Sequence, residues 1–284
     1  MLRVGLIGRD ILASRSPWLH EQEARALGMA LKYELFDFKA LDLPEEKLGP
    51  FLHRLREEGY CGVNVTYPFK QTVMALLDGI DDGAAVVGAV NTVSMRDGRL
   101  LGHNTDMPGF RDSFALGLPG ASLERVLQLG AGGAGAAVAC ALLSLGARRL
   151  EITDIQRHRA EALARRLNEH FPTAEVSATS LDGLGTRDLA GVVNTTPVGM
   201  AAHPGTPIDV ERIDPATWVV DVVYFPLETL LLREARQRGC RVLDGSGMVV
   251  GQAALAFHIL TGRPPDSLRM ADSFIRAPAV METS

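Results

Sequence analysis

The chain has 284 residues, 46% of them apolar and 22% charged, and a formal net charge of −5. That length fits two domains of roughly 100–200 residues each. The charge excludes the basic footprint of a nucleic-acid binder and the polybasic patch of a membrane-surface protein.

No apolar run approaches the roughly 18–20 residues needed to span a bilayer. The opening MLRVGLIGRD reads as a strand and turn, not as a signal peptide. The three cysteines, Cys61, Cys140 and Cys240, are dispersed, which fits reduced thiols in a cytoplasmic protein. The seven histidines form no ligand pair, so no metal site is expected.

In chain order, residues 2–7 are short and apolar before Gly8 and predict a strand. Ser16 and Pro17 suit the N-cap and first position of a helix over 16–27. A second strand is expected over 32–38. Helical spacing over 44–58 puts Leu48, Phe51, Leu52 and Leu55 on one side. A third strand at 62–66 and a short helix at 69–77 follow. Residues 91–95 and 99–103 flank Asp97-Gly98, a hairpin turn pair. A helix over 106–116 ends at Leu118-Pro119-Gly120. Strand and helix then alternate, with strands near 125–129, 149–153, 174–178, 191–194, 218–222 and 241–243. This is the pattern of a doubly wound parallel sheet in an α/β protein. Two closing helices, 248–260 and 267–276, have no strand after them and are expected to pack back on the first region.

The sharpest local signal is G-x-G-x-x-G at Gly130, Gly132 and Gly135, between an apolar strand and an alanine-rich helix. One glycine permits the tight turn, the next lets backbone approach a pyrophosphate, and the third lets the helix sit close on the sheet. Free N–H groups at the helix start favour an anion there. Gly130, Ala131, Gly132, Gly133, Ala134 and Gly135 form the expected dinucleotide cradle. Asp154 ends the next strand, 24 positions beyond Gly130, where a carboxylate can accept from the adenine ribose hydroxyls. Like charge there, and Ile155 where an arginine would serve a 2′-phosphate, favour NAD over NADP. Arg157 and Arg159 keep NADP possible.

The first region carries polar stretches that a bare scaffold does not need. CGVNVTYPFK places Asn64 and Thr66 on one strand face with Lys70 just beyond. SRSP sets Ser14 and Ser16 at a helix start. GAVNT holds Asn91, GHNTD holds Asp106, and GQAALAF puts Gln252 on an otherwise apolar helix. Taken singly, each has a structural reading: a surface lysine, a cap, a turn or a tolerated amide.

Together, SRSPWLH, GVNVTYPFK, GAVNTV, GHNTD, GAGGAG, NTTPVGM, DVVYFPLETLLL and GQAALAF, in this order, resemble the shikimate dehydrogenase family. The resemblance implies a substrate domain built from residues 1–106 and 248–284 and a Rossmann-type domain over 107–247. It implies reversible hydride transfer between a nicotinamide cofactor and a ring hydroxyl of shikimate or quinate, giving 3-dehydroshikimate or 3-dehydroquinate. Lys70 and Asp106 match the catalytic pair. Ser14 and Ser16 match the carboxylate-binding hydroxyls. Asn64, Thr66, Asn91 and Gln252 match groups around the ring hydroxyls, and Tyr224 a tyrosine near the substrate. Thr195, Pro197 and Met200 match a loop beside the nicotinamide, as does Gly247, and Val222 is a further cofactor-binding position. NADP-using members typically carry Asn-Arg-Thr where this chain has Asp154-Ile155-Gln156, which looks like the NAD-preferring quinate/shikimate branch. Some quinate-preferring relatives have threonine at the position of Ser16. The implied partner is a small cyclic hydroxy acid, and the implied state a monomer or homodimer. Alternatives are a related dehydrogenase acting on an aminoshikimate-like acid and a non-catalytic NAD sensor. His103 is compatible with a substrate contact or a structural role.

Overall fold

Valine, leucine and isoleucine crowd the opening strand β1 (Leu2–Gly8), which is buried from Val4 onward. The computed structural model describes residues 1–181 and 188–277. The chain divides into two units, Met1–Thr105 with Val250–Ser284 and Asp106–Val249.

In the first unit β1 leads to α1 (Ser16–Ala26), where the structure departs from expectation. Arg15 is the N-cap and Ser16 the first helical residue, so Ser16 does not cap the helix; Ser14 Oγ accepts from the Ser16 amide at 3.2 Å instead. β2 (Leu31–Asp37) follows. The helix expected over 44–58 is a 3₁₀ turn, Glu45–Lys47, and then α2 (Leu48–Glu57). Its stripe of Leu48, Phe51, Leu52 and Leu55 is buried with Phe38, Val63, Phe69 and Val93. Full burial of one such side chain contributes about 1.5–3 kcal/mol.

After β3 (Gly62–Val65), the expected helix at 69–77 is a 3₁₀ segment, Thr72–Leu76. Two elements had no expectation, the two-residue strand β4 (Gly79–Ile80) and α3 (Asp82–Val87), which Asp81 caps by accepting from the Ala84 amide. β5 (Thr92–Arg96) and β6 (Arg99–His103) form the hairpin. Asp97 and Gly98, both at positive φ, make its turn. The sheet order is β2-β1-β3-β5-β6-β4. β1 pairs in parallel with β2 and β3, and β5 is antiparallel to both of its neighbours.

The second unit begins with α4 (Asp106–Gly117). It continues through β7 (Arg125–Leu129), α5 (Gly133–Ser144), β8 (Arg149–Thr153), α6 (Arg157–His170), β9 (Glu175–Ala178), β10 (Gly191–Asn194), β11 (Trp218–Asp221), α7 (Leu230–Gln237) and β12 (Val242–Leu243). Among the described residues all its strand pairings are parallel, in the order β12-β11-β10-β7-β8-β9. Counted from β7, that is the 3-2-1-4-5-6 order of a Rossmann sheet, whose direction of winding reverses between β7 and β10.

The unit boundary falls inside α8 (Ser246–Thr261), which α9 (Ser267–Ile275) follows. These closing helices do pack on the opening region. Glu23 of α1, wholly buried, accepts from Arg269 Nε at 2.8 Å, Arg269 Nη2 at 2.7 Å and the Asp266 amide at 2.8 Å. A Cβ on Gly62 would lie 2.5 Å from Leu260 and 2.3 Å from the Val93 carbonyl, so only glycine fits there. Among the described residues no helix is long and apolar enough to cross a membrane, and no His, Cys, Asp and Glu cluster could hold a metal ion.

Candidate active site

In the first unit Ser14 and Ser16 follow β1, Asn64 lies on β3 with Thr66 and Lys70 beyond it, and Asn91 precedes β5. The turn from β1 to α1 is held by Asp37, at the end of β2. Its Oδ2 accepts from the Ile11 amide at 2.8 Å, and its Oδ1 accepts from the amides of Asp10 at 3.2 Å and Lys39 at 2.9 Å. Burial opposes ionisation of this carboxyl, but the backbone donors outweigh it and hold Asp37 below the usual carboxylate range. Beyond the clamped turn, Ser14 Oγ donates to Ser16 Oγ at 3.2 Å. Ser16 Oγ is the acceptor in this bond, so its own O–H is available to donate to an anion.

β3 delivers Asn64 and, at its end, Thr66, whose methyl fills the space beside Gly8: a Cβ there would lie 2.5 Å from it. Phe69 is wholly buried, edge-on to Phe38 with ring centroids 4.8 Å apart, and so anchors the neighbouring Lys70. The Lys70 carbonyl accepts from the Val90 amide at 2.7 Å, which ties it to the segment leading into Asn91.

Asn64 and Asn91 are brought together. Asn64 Nδ2 donates to the Asn91 carbonyl at 3.3 Å and to Thr92 Oγ1 at 3.0 Å. Asn91 Nδ2 donates to Thr105 Oγ1 at 2.8 Å, and Asn91 Oδ1 accepts from the Thr105 amide at 2.8 Å. Asp106, buried, is the next residue in the chain and starts α4. His103 has both ring nitrogens engaged, Nδ1 with Asp81 Oδ2 at 2.7 Å and Nε2 with Ser94 Oγ at 3.1 Å. Although these contacts follow a Ser–His–Asp order, Ser94 is 3% exposed within β5, so its hydroxyl has no route to a substrate carbonyl. His103 instead braces the hairpin against the cap of α3. Gln252 lies on α8.

In the second unit the glycine loop follows β7. Gly130 has φ +103°, and a Cβ on it would meet Thr195 Oγ1 at 2.7 Å. A Cβ on Gly135 would meet the Gly130 carbonyl at 2.5 Å, while at Gly132 the same position is open space. Gly132 caps α5 without a side-chain hydrogen bond, so the Gly133, Ala134 and Gly135 end of the helix offers backbone donors beside that opening. These residues fit a dinucleotide pyrophosphate. Gln128, wholly buried, staples the loop from below through Nε2, which donates to the carbonyls of Gly130 and Gly135, each at 2.9 Å.

Asp154 Oδ2 accepts from the Ala131 amide at 2.8 Å and Oδ1 from the Gln156 amide at 2.8 Å. Each oxygen keeps a lone pair for a hydroxyl donor. Ile155 is fully exposed beside it; Arg157 is paired with Glu161 at 2.8 Å, and Arg159 is exposed.

Across the reversal in winding, Thr195 Oγ1 donates to the Leu129 carbonyl at 2.8 Å. The loop carrying Pro197 and Met200 is latched from beneath. Asp221 Oδ1 accepts from Asn194 Nδ2 at 2.9 Å, and Asp221 Oδ2 from Thr229 Oγ1 at 2.7 Å. Asn194 Nδ2 also donates to the Val198 carbonyl at 2.9 Å, and the Val222 amide donates to the Asn194 carbonyl at 3.0 Å. Met200 and Tyr224 are exposed. Gly247 has a packing reason of its own: a Cβ would lie 2.2 Å from Ser113 Oγ on α4.

A family profile described as the shikimate dehydrogenase substrate binding domain matches residues 6–93. A shikimate dehydrogenase (NADP(+)) of Streptomyces avermitilis is 52% identical over 269 residues, covering 94% of this chain and 92% of that one. The chain belongs to the shikimate dehydrogenase family. A second member, the quinate/shikimate dehydrogenase (NAD(+)) of Corynebacterium efficiens, is 44% identical over 96% of this chain and 97% of its own. Among solved structures, the quinate dehydrogenase of Corynebacterium glutamicum in complex with NAD superposes with a TM-score of 0.91 at 42% identity, covering 97% of this chain and 99% of that one.

Two residues that brace these family segments carried no sequence signal, Asp37 and Gln128, while Asn194 and Asp221 open NTTPVGM and DVVYFPLETLLL with no role read from them. All four are buried and hydrogen-bonded. A lone polar residue within an apolar run, as in RVLQLG around Gln128, is the trace that could have marked them.

Proposed function

We propose that this chain reversibly oxidises a ring secondary alcohol of shikimate, quinate or both to the 3-dehydro ketone, with NAD as the favoured acceptor. The first unit takes the cyclic acid and the second the dinucleotide. The observation that carries the reading is the convergence of Asn64, Asn91 and Thr105 on one buried polar network that leads directly into Asp106. A non-catalytic dinucleotide sensor has no use for such a network.

When bound, the nicotinamide supplies the hydride acceptor for oxidation and the donor for reduction. Lys70 takes the hydroxyl proton as the ring carbon is oxidised and returns it in the reverse direction. Asp106 accepts a hydrogen bond from the hydroxyl and so fixes the reacting carbon. Ser16 donates to the substrate carboxylate, and Ser14 joins it when its O–H turns from Ser16 Oγ to the anion. Thr66, Gln252 and Tyr224 complete the ring contacts.

NAD is favoured because Asp154 is held in place by the Ala131 amide with lone pairs to spare for ribose hydroxyls, and its charge repels a 2′-phosphate. The NADP(+) name of the 52% identical Streptomyces relative favours the second reading, NADP. Steady-state kcat/KM for shikimate and for quinate, each with NAD and with NADP, tests both points. The expected order is NAD above NADP with either acid. Turnover of neither acid would sink the proposal.

A further inference from the structure

Tyr33, on β2, is 5% exposed, and its hydroxyl donates to Asn64 Oδ1 at 2.9 Å. The direction of this bond is forced. Asn64 also faces the Asn91 carbonyl, which can only accept, so the amide nitrogen of Asn64 points there and its oxygen points at Tyr33. The far end is forced as well. The Thr105 backbone N–H can only donate, so it meets Asn91 Oδ1 and turns Asn91 Nδ2 to Thr105 Oγ1. Between them Thr92 Oγ1 receives from Asn64 Nδ2 and donates to Asn91 Oδ1 at 3.3 Å. The side-chain donors therefore run one way from Tyr33 to Thr105, and only the Thr105 backbone N–H points back. Both Asn64 amide hydrogens are used inside the protein, so what Asn64 can offer a ligand is the second lone pair of Oδ1.

We infer that Tyr33 is a positioning residue acting through Asn64: by filling one lone pair of Oδ1 it turns the other toward the substrate, selecting a ring hydroxyl that donates. The inference rests on the proposed cyclic hydroxy acid chemistry. The phenol ring is itself held, with its centroid 4.8 Å from the ring of His20, which in turn lies 5.9 Å from Phe257. Burial drives the His20 pKa down to about 3, so this support stays uncharged at neutral pH.

The test compares wild type with Tyr33→Phe on shikimate and on analogues that each lack one ring hydroxyl. Tyr33→Phe keeps the ring and removes the donor. It should raise the KM for shikimate about tenfold, the scale of one lost hydrogen bond in a buried network, and leave the KM for NAD unchanged. The penalty should vanish for one deoxy analogue, and in an Asn64→Ala background Tyr33→Phe should add nothing. An equal penalty against every analogue, or none at all, overturns the inference. Wild-type enzyme supplies an arm free of folding effects. Fluorine at that ring position cannot donate and should bind as weakly as hydrogen there; a fluoro analogue with the KM of shikimate itself would also overturn it. Wild type turning over neither shikimate nor quinate would sink the functional reading and the inference together, whereas normal wild-type turnover with an unaffected Tyr33→Phe sinks the inference alone.

Discussion

Lys70 directly follows a phenylalanine that exposes no surface, and its own carbonyl is bonded to Val90, so its backbone has little freedom to move. An amine carried on such an anchor can serve as a proton carrier of fixed position. Lys70→Ala should lower kcat by about 100- to 10,000-fold, the usual worth of a positioned acid–base group, with the KM for NAD unchanged. Steady-state rates at saturating dinucleotide check this, and turnover near wild type would remove Lys70 from the chemistry. Asp154 bears on cofactor choice. Asp154→Asn with Ile155→Arg removes the charge that repels a 2′-phosphate and adds one that attracts it. The ratio of kcat/KM with NADP to that with NAD should rise about tenfold or more, or ~1.4 kcal/mol. An unchanged ratio would shift the cofactor argument to other residues.

At the scale of elements, the turn between β1 and α1 depends on a carboxylate at the end of β2. The Asp37 pKa lies below its unfolded value, so its contribution to stability is present in full above the ordinary carboxylate pKa and is lost as pH falls through the lowered folded value. Asp37→Asn replaces one accepting oxygen by a donor that faces backbone N–H groups. It should cost about 2 kcal/mol at pH 7, with the difference from wild type shrinking as the pH drops below about 4. Urea titrations across that range measure it; a pH-independent difference would mean the charge is irrelevant. Asp37 also shows what could not be read in the sequence. The glycine loop was legible because a tight turn and a close helix each demand a residue without a side chain, and the stripe of α2 because its spacing is local. Beside the local amide of Lys39, the donors to Asp37 are backbone amides of Asp10 and Ile11, far off in the chain, and backbone amides leave no mark in composition. The bracing roles of Asp221 and Tyr33 were hidden because their side-chain partners, Asn194 and Asn64, lie on other strands. The Ser16 cap failed because proline is accepted at the second helical position as well as the first, which moved the boundary by one residue. β4 has two residues, too few for any periodicity.

For the whole molecule, the alternation of strand and helix over the second half was enough to forecast a parallel sheet. The observed order adds that the glycine loop after β7 and the Thr195 loop after β10 flank the reversal in winding, where ligands of such sheets bind. The first unit is joined from both ends of the chain by Glu23. Glu23→Ala leaves Arg269 without its buried partner and the Asp266 amide without an acceptor. It should lower the melting temperature of the first unit while NAD binding by the second is retained. Calorimetry with and without NAD separates the two, and a fall in both transitions would show that the joint serves more than its own unit.

Contributions from both ends also bear on biosynthesis. A ribosome makes Leu2–Gly8 before the second unit and α9 after it, so the first unit cannot be finished until the second has been translated. By then Asp106–Val249 already has every strand it needs. The nascent β3, with a bare glycine where Leu260 will settle, waits through that interval with its cover still untranslated.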